Sequence, residues 1–408
     1  MKTYQKPKNI INISTNMNLS KAMLLLLLLA VLSCTKPNQT ETRLENIEQQ
    51  LRGLRTFSME EKNIPRSMDR DGHIRWIISS YDWTEGFWPG TCWMLYNYTK
   101  DKKWKEAAVE TQKLFVQHKD LTNDHDLGFI FNNSYGKAYR TTGEVQYKQV
   151  LLDAANALIT RFNKHVGCIQ SWDVADNWQS KRGWVFPVIV DNLMNLELLF
   201  EATAITGDSI YRDVAVAHAN TTMRNHFRSD GSSYHVVDYD PETGEVRSRV
   251  TAQGFADESA WSRGQAWALY GYTMCYRYTK DQKYLDFAQK IANFILNHPN
   301  YPEDGVPYWD FNAPDIPQAK RDASSGAIIA SALLELSSYT QGRYKAKADL
   351  ILNSLASDAY TAKHGENGNF VLMHSVGSIP HGNEIDVPLN YADYYYIEAL
   401  MRQHEGGR

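Results

Sequence analysis

Cysteine is scarce in this chain, with four residues in 408, at positions 34, 92, 168 and 275. So widely spaced, they make neither a Cys-x-x-Cys pair nor a disulfide framework, which excludes a thiolate zinc site and a stapled small fold. Also missing are His-Glu-x-x-His, a calcium-loop spacing, a Gly-x-Ser-x-Gly elbow and a phosphate-cradling glycine loop. No metal and no cofactor are therefore expected, and chemistry is restricted to acid–base work by carboxylates and imidazoles. Positive charge is in deficit as well: 43 Lys and Arg face 47 Asp and Glu, a formal net charge of −4. Such a chain is a poor binder of nucleic acid or long polyanions, so no nucleic-acid partner is expected. An anionic ligand would be small and received by a local cationic pocket. Strand patterns are few; Ser233–Tyr239 alternates weakly, and Gly368–Met373 reads as a short strand.

There is one concentrated apolar run, Ala22 to Leu32. It is too short to span a bilayer as a helix and follows the basic start Met17-Asn18-Leu19-Ser20-Lys21, which fits a signal-peptide core. It ends in Val31-Leu32-Ser33-Cys34, which resembles a bacterial lipobox. Residues 1–33 are expected to be a lipoprotein signal peptide, with translation starting at Met1 or Met17. Residues 34–45 are expected to be the lipidated Cys34 and a polar tether, and 46–408 a single catalytic domain. Residues 1–33 carry four lysines and no acid, so their removal takes the net charge from −4 to −8. The expected location is the bacterial periplasm or cell envelope, with membrane contact only through the lipid on Cys34.

What the chain has in abundance is aromatic residues: 11 Trp, 24 Tyr and 14 Phe. Rings suit both a large core and the apolar faces of sugars. A phrase also recurs. Thr99-Lys100-Asp101 before Trp104, Thr142-Gly143-Glu144 before Tyr147 and Thr206-Gly207-Asp208 before Tyr211 each separate two apolar helical patterns. Thr279-Lys280-Asp281 before Tyr284 and Thr340-Gln341-Gly342 before Tyr344 repeat it. Each is a helix stop, a turn and an N-cap. Five irregularly spaced helix hairpins predict an all-α toroid of the (α/α)6 type, the 394–402 helix belonging to the last hairpin.

Four places are candidates for chemistry. In Trp261-Ser262-Arg263-Gly264-Gln265-Ala266-Trp267 two indoles bracket a guanidinium, and Arg263 and Trp267 share a helix face. A flat cation beside a ring suits an anionic sugar. By itself the motif equally describes a core aromatic with a snorkelling Arg. Asp126, in Asp124-His125-Asp126-Leu127-Gly128, opens a helical pattern; Asp124 is available to cap it, which frees Asp126 to project toward the axis. Asp191 lies among Ile189, Leu193 and Leu196 on what reads as an inner helix, with Asn195 one turn away as its nearest partner. Burial there would raise its pKa. His235 precedes the Pro241-Glu242-Thr243-Gly244 turn, on the way to Thr251 and Gln253.

Taken in order, these segments resemble the unsaturated glucuronyl hydrolases, glycoside hydrolase family 88. The carriers are Asp82-Trp83-Thr84-Glu85-Gly86-Phe87-Trp88-Pro89-Gly90, His125-Asp126-Leu127-Gly128-Phe129 and Asp191-Asn192-Leu193-Met194-Asn195-Leu196. Asp240–Gly244, Gln253–Ser259, the Trp261 motif and Tyr391-Ala392-Asp393 follow. The resemblance implies an (α/α)6 barrel, Asp191 as general acid/base and Asp126 as a second essential carboxylate. It implies that His235, Thr251, Gln253, Arg263 and Trp267 contact the sugar while Trp88 and Trp261 shape the pocket. The implied substrate is a small anionic oligosaccharide ending in a 4,5-unsaturated uronic acid, left by a polysaccharide lyase. That sugar is a vinyl ether, so protonating C4 and adding water at C5 gives a hemiketal that opens and releases its neighbour. The carboxylate-separation rule for direct displacement need not apply.

Three rivals remain at this stage. Unsaturated rhamnogalacturonyl hydrolases share the fold and chemistry, but Asn is expected there at the position of Gln265. A lipid-anchored glycan binder with a dead site would not need two acids facing an anionic ligand. A sugar epimerase would need more histidines near the axis than His125 and His235. Family members acting on sulfated glycans often carry Ser-x-x-Ser-Lys near the C-terminus; here Ser375-Val376-Gly377-Ser378-Ile379 keeps both hydroxyls and lacks the cation. Trp172, upstream of the insertion 174–182, is the expected aromatic near the pocket mouth.

Overall fold

Among the described residues six helices form an inner ring, largely buried along their middle turns. The computed structural model describes residues 1–3, 39–77 and 81–406. The signal peptide, Cys34 and the first part of the tether lie outside the described residues. Leu44–Arg408 form one unit; before it, Gln39–Arg43 begin helix α1 (Gln39–Glu61). The tether thus ends earlier than expected, since residues 39–45 are already helical.

The hairpins follow. They are α2 (Phe87–Thr99) with α3 (Lys102–Gln112), and a π-helix (Gly128–Gly136) running into α4 (Lys137–Thr142), paired with α5 (Val145–Ile159). After the four-residue α6 (Trp178–Lys181) come α7 (Leu196–Thr206) with α8 (Ser209–Asn225), α9 (Ser262–Thr279) with α10 (Gln282–Asn297), and α11 (Ala323–Tyr339) with α12 (Lys345–Leu355). The chain ends in α13 (Asn390–Gly406). In α9 every residue from Ser262 to Cys275 is buried, and α11 is buried from Ala323 to Leu333. Helices apolar or small on all sides belong inside. By contrast α10 buries one stripe, Tyr284, Leu285, Ala288, Ile291, Ala292 and Ile295, and lies outside.

The ring runs α2, π/α4, α7, α9, α11 and α13, and closes where α13 packs on α2. This is the (α/α)6 barrel. All five turn phrases fall between the two helices of a hairpin. Asp101, Asp208 and Asp281 cap their helices by accepting backbone N–H groups of Lys103, Ile210 and Lys283. Lys100, Gly143, Gly207 and Lys280 end the preceding helices in the left-handed conformation. The sixth pair is not a sequence hairpin. Helix α13 does not belong to the 340–342 turn, as expected from the sequence, but is the sixth inner helix. In the outer layer α1 is held to α3 by the Trp104–Glu48 bond of 2.9 Å and to the chain after α12 by Gln50.

Strands form four small antiparallel sheets among the described residues: β1 (Pro65–Met68) with β2 (Ile74–Trp76), and β3 (Phe162–Asn163) with β4 (Cys168–Ile169). The others are β5 (Phe186–Ile189), β6 (Val236–Tyr239) and β7 (Val246–Val250) in one sheet, and β8 (Ser375–Ser378) with β9 (Asn383–Val387). The expected strand at 233–239 is β6. The one expected at 368–373 is not formed; a 3-10 turn (Asn367–Asn369) stands there, and Asp393 of α13 receives the N–H groups of Val371 and Leu372.

Candidate active site

The three-stranded sheet assembles the site. Its register sets Ile189 opposite Val236 and Val236 opposite Val250, so Asp191, His235 and Thr251–Gln253 leave the same end of the sheet together. The N–H of Val190 donates to the His235 carbonyl at 3.0 Å. Asp191 does not stand inside an α-helix, as its stripe suggested. It lies in a 3-10 turn (Val190–Asn195) between β5 and α7. That turn changes the partner of Asn195, whose amide donates to Asp126 Oδ1 at 3.1 Å while its own oxygen receives the Phe129 N–H at 2.9 Å.

Asn195 thus ties together the two segments that carry the carboxylates. Gly128 permits the approach: a Cβ there would lie 2.4 Å from Asn195 Cα. Asp124 does not cap the helix, which has no side-chain cap; it accepts the Asp126 N–H at 2.9 Å in the turn ahead of it, and the Asp126 carboxyl is left to Asn195.

Burial, followed by the negative charge of Asp124, drives the Asp126 carboxyl well above the usual carboxylate range; the Asn195 hydrogen bond opposes this, and Asp191 adds to the rise. His125 between them is fully buried, and desolvation holds its pKa down; it lies 3.3 Å from Asp126 Oδ1. Asp124, His125 and Asp126 could each offer one ligand atom to a cation, these atoms lying within 4.8 Å of one another. Glu85, on the loop ahead of α2, is pushed up to about 7 by burial even though His118 Nδ1 stands 2.6 Å away and pulls it down.

His235 accepts two backbone N–H groups at Nδ1, from Ala252 at 3.0 Å and Gln253 at 3.2 Å. That assigns the ring hydrogen to Nε2, which faces Asp191 Oδ2 at 3.5 Å. Both atoms are buried and neither has a hydrogen-bond partner. Natural folds rarely leave buried polar atoms unpaired, and these two face each other across 3.5 Å.

The Trp261 motif is placed differently from the sequence expectation. The Arg263 guanidinium lies over Trp261 at 4.6 Å and Tyr391 at 5.6 Å, not beside Trp267. It donates to Asp322 (3.3 Å), the Val376 carbonyl, the Gly377 carbonyl (2.5 Å) and Gln253 Oε1 (3.0 Å). Trp267 is 0% exposed, wedged between Phe129 at 5.0 Å and Tyr395 at 5.3 Å. Both side chains of the proposed ligand face are therefore core. Arg263 acts through Gln253, whose carbonyl it holds.

Trp261 stands 4.7 Å from the His235 ring. Trp88 lies elsewhere, edge-on to Trp104 at 6.5 Å on the outer side of α2. Half-buried Trp83, which sequence reasoning quoted without assigning, instead joins the aromatic group of Phe129 and Tyr391. Half-buried Trp172 lies 6.1 Å from His235 and stacks on Trp184 at 5.9 Å.

A closed ring of helix hairpins, with two acids and an imidazole gathered by a small sheet at one end, defines a carbohydrate-active toroid. Residues 59–405 match Glycosyl Hydrolase Family 88, and the chain belongs to that family and is a glycoside hydrolase. It is 46% identical to an unsaturated glucuronyl hydrolase of Formosa agariphila over 90% of this chain and 93% of that protein. It is 36% identical to an unsaturated chondroitin disaccharide hydrolase of Streptococcus agalactiae, covering 80% of this chain and 82% of that one. The crystal structure of an unsaturated glucuronyl hydrolase specific for heparin superposes with a TM-score of 0.85 at 46% identity, covering 90% and 97% of the two chains.

Proposed function

We propose that the enzyme removes a 4,5-unsaturated uronic acid from the non-reducing end of lyase-generated, glycosaminoglycan-derived oligosaccharides. The reading is supported by the relatives and rests in the molecule on one observation: the buried, unpartnered Asp191 Oδ2 and His235 Nε2 facing each other beside Asp126. In this reading Asp191 gives its proton to C4 of the double bond. Positive charge develops at C5 and the ring oxygen, and water adds at C5 as Asp191 takes a proton back from it. The hemiketal then opens and the neighbouring sugar departs.

Asp126, whose pKa burial raises, hydrogen-bonds a ring hydroxyl, and its orientation is held by Asn195. The His235 N–H steadies the Asp191 carboxylate between the two proton transfers. Gln253, its oxygen engaged by Arg263, has its amide donor left for the sugar, and Thr251 adjoins it. The relatives and Gln265 both weigh against a pectin-fragment hydrolase.

The substrate assignment is tested with unsaturated disaccharides from heparin, chondroitin, hyaluronan and pectin. The ultraviolet absorbance of the C4=C5 bond is expected to decay with the glycosaminoglycan products. Decay only with the pectin product would move the enzyme to the sister activity, and no decay with any of them would end the proposal.

The same reading extends to location: the leader and Cys34 would anchor the enzyme in the cell envelope, where lyase products arrive. Cys34→Ser is expected to move the protein from the membrane fraction to the soluble fraction. Unchanged membrane association would refute the anchor.

A further inference from the structure

A cleft of about 560 Å³ opens beside the site, lined by Arg182, Trp184, Thr251, Phe255, Asp257 and Pro380 among others. It begins one ring beyond the carboxylates. Trp172 lies 6.1 Å from His235, and Trp184 stacks on Trp172 from the far side. Trp178, 40% exposed, completes the aromatic group at 5.3 Å from Trp172. These rings and Arg182 belong to, or border, the insertion 174–182.

Arg182 is fixed but not neutralised. Its guanidinium lies over Trp178 at 5.7 Å and Trp184 at 5.2 Å, and one N–H donates to the Thr251 carbonyl at 2.6 Å. No carboxylate lies within ion-pair distance of it among the described residues. The acid in the same cleft, Asp257, is turned to receive the Thr251 N–H at 2.8 Å. Across from Arg182, the 375–381 loop presents Pro380 and His381, the His381 ring packing on Trp178 at 5.8 Å and its Nδ1 bonded to Ser378 Oγ at 2.7 Å. That loop holds no lysine or arginine. An exposed, ring-stacked cation without a counter-charge, in a chain of net negative charge, is a receptor for an anionic group.

We infer that Arg182 and the exposed Trp178, backed by the buried Trp184, bind the departing sugar and select one that carries a sulfate ester. This rests on the function proposed above and assigns to the insertion a charge that the C-terminal loop does not carry. The geometry gives the sugar a ring to stack on and the sulfate a fork of N–H donors.

The test compares kcat/KM for two unsaturated disaccharides that differ only by one sulfate on the hexosamine. In Arg182→Gln the value is expected to fall for both, because the platform loses its stacked guanidinium. The fall should be about tenfold larger or more for the sulfated substrate, as expected for a lost charge-assisted hydrogen bond. Arg182→Lys, which keeps the charge, is expected to hold the sulfated-to-unsulfated ratio near that of the wild type. An equal fall on both substrates in the Gln variant would assign Arg182 to the uronate carboxylate common to both, and overturn the inference. A ratio lost equally in the Lys variant would make the effect one of packing and also overturn it. If the wild-type enzyme turned over neither disaccharide, the proposed function itself would fail and this inference with it.

Discussion

Asp191→Asn is expected to lower kcat by about 10² to 10⁴-fold, the range supplied by a positioned general acid–base group, with KM and thermal stability nearly unchanged. The substitution is isosteric, and the atom that matters, Oδ2, makes no hydrogen bond that the fold depends on. An amide can turn its oxygen to the His235 Nε2–H and so keep the local geometry. What it cannot do is give a proton to carbon and take one back from water. Steady-state kinetics on an unsaturated disaccharide, with thermal unfolding as control, decide the matter. A variant that kept near-normal kcat would remove Asp191 from the acid/base role and leave Asp126 as the remaining candidate.

Arg263→Ala carries the second large effect, and it is expected first in stability. The guanidinium is 2% exposed and its donors are spent on Asp322, two carbonyls of the β8 strand and Gln253. Its loss leaves Asp322 buried at 0% exposure without its cation, although the Ser324 and Ser325 hydroxyls still bond that carboxylate. Breaking a buried pair from one side costs roughly 3–5 kcal/mol, so a drop in Tm of several degrees is expected. Gln253 and the 375–378 strand lose their anchor together, and kcat/KM falls with them. Arg263→Lys keeps a cation but not the fork, and is expected to fall between. A variant with wild-type Tm and a raised KM would show instead that Arg263 touches the ligand directly, which is what the heptapeptide suggested when read alone.

That difference shows where sequence reasoning stopped. Arg263 and Trp267 are four apart and do lie on one helix. Residue spacing does not say that the guanidinium turns back over Trp261, which precedes the helix in an extended conformation. Asn195 was misassigned for a related reason. An i, i+4 partnership with Asp191 presumes an α-helix, and the chain there is a 3-10 turn whose Asn reaches across to Asp126. Trp88 and Trp83 sit in one motif, and only packing on Trp104 reveals which of them faces outward. The Arg182 platform had no sequence signal beyond an insertion of uncertain register.

Other features were legible because their physics is local. Thr-Gly-Asp and its variants separate two helices within a few residues: all five lie at hairpin turns in the structure, and Asp101, Asp208 and Asp281 cap the second helix. Asp124 and Asp126 stand at a helix start as their position implied, although Asp124 bonds the turn and not the helix. The closure of the ring was less legible, since α13 packs on α2, at the opposite end of the chain.

The sequence by itself determined the class of architecture and the family, because turn chemistry, helical periodicity and ordered motifs are written in short runs. Only the tertiary structure decided which side chains meet. The antiparallel register that sets Ile189 against Val236 brings Asp191 to His235, and a Cβ-free Gly128 brings Asp126 to Asn195. Those contacts depend on where distant segments pack, and no local propensity encodes that.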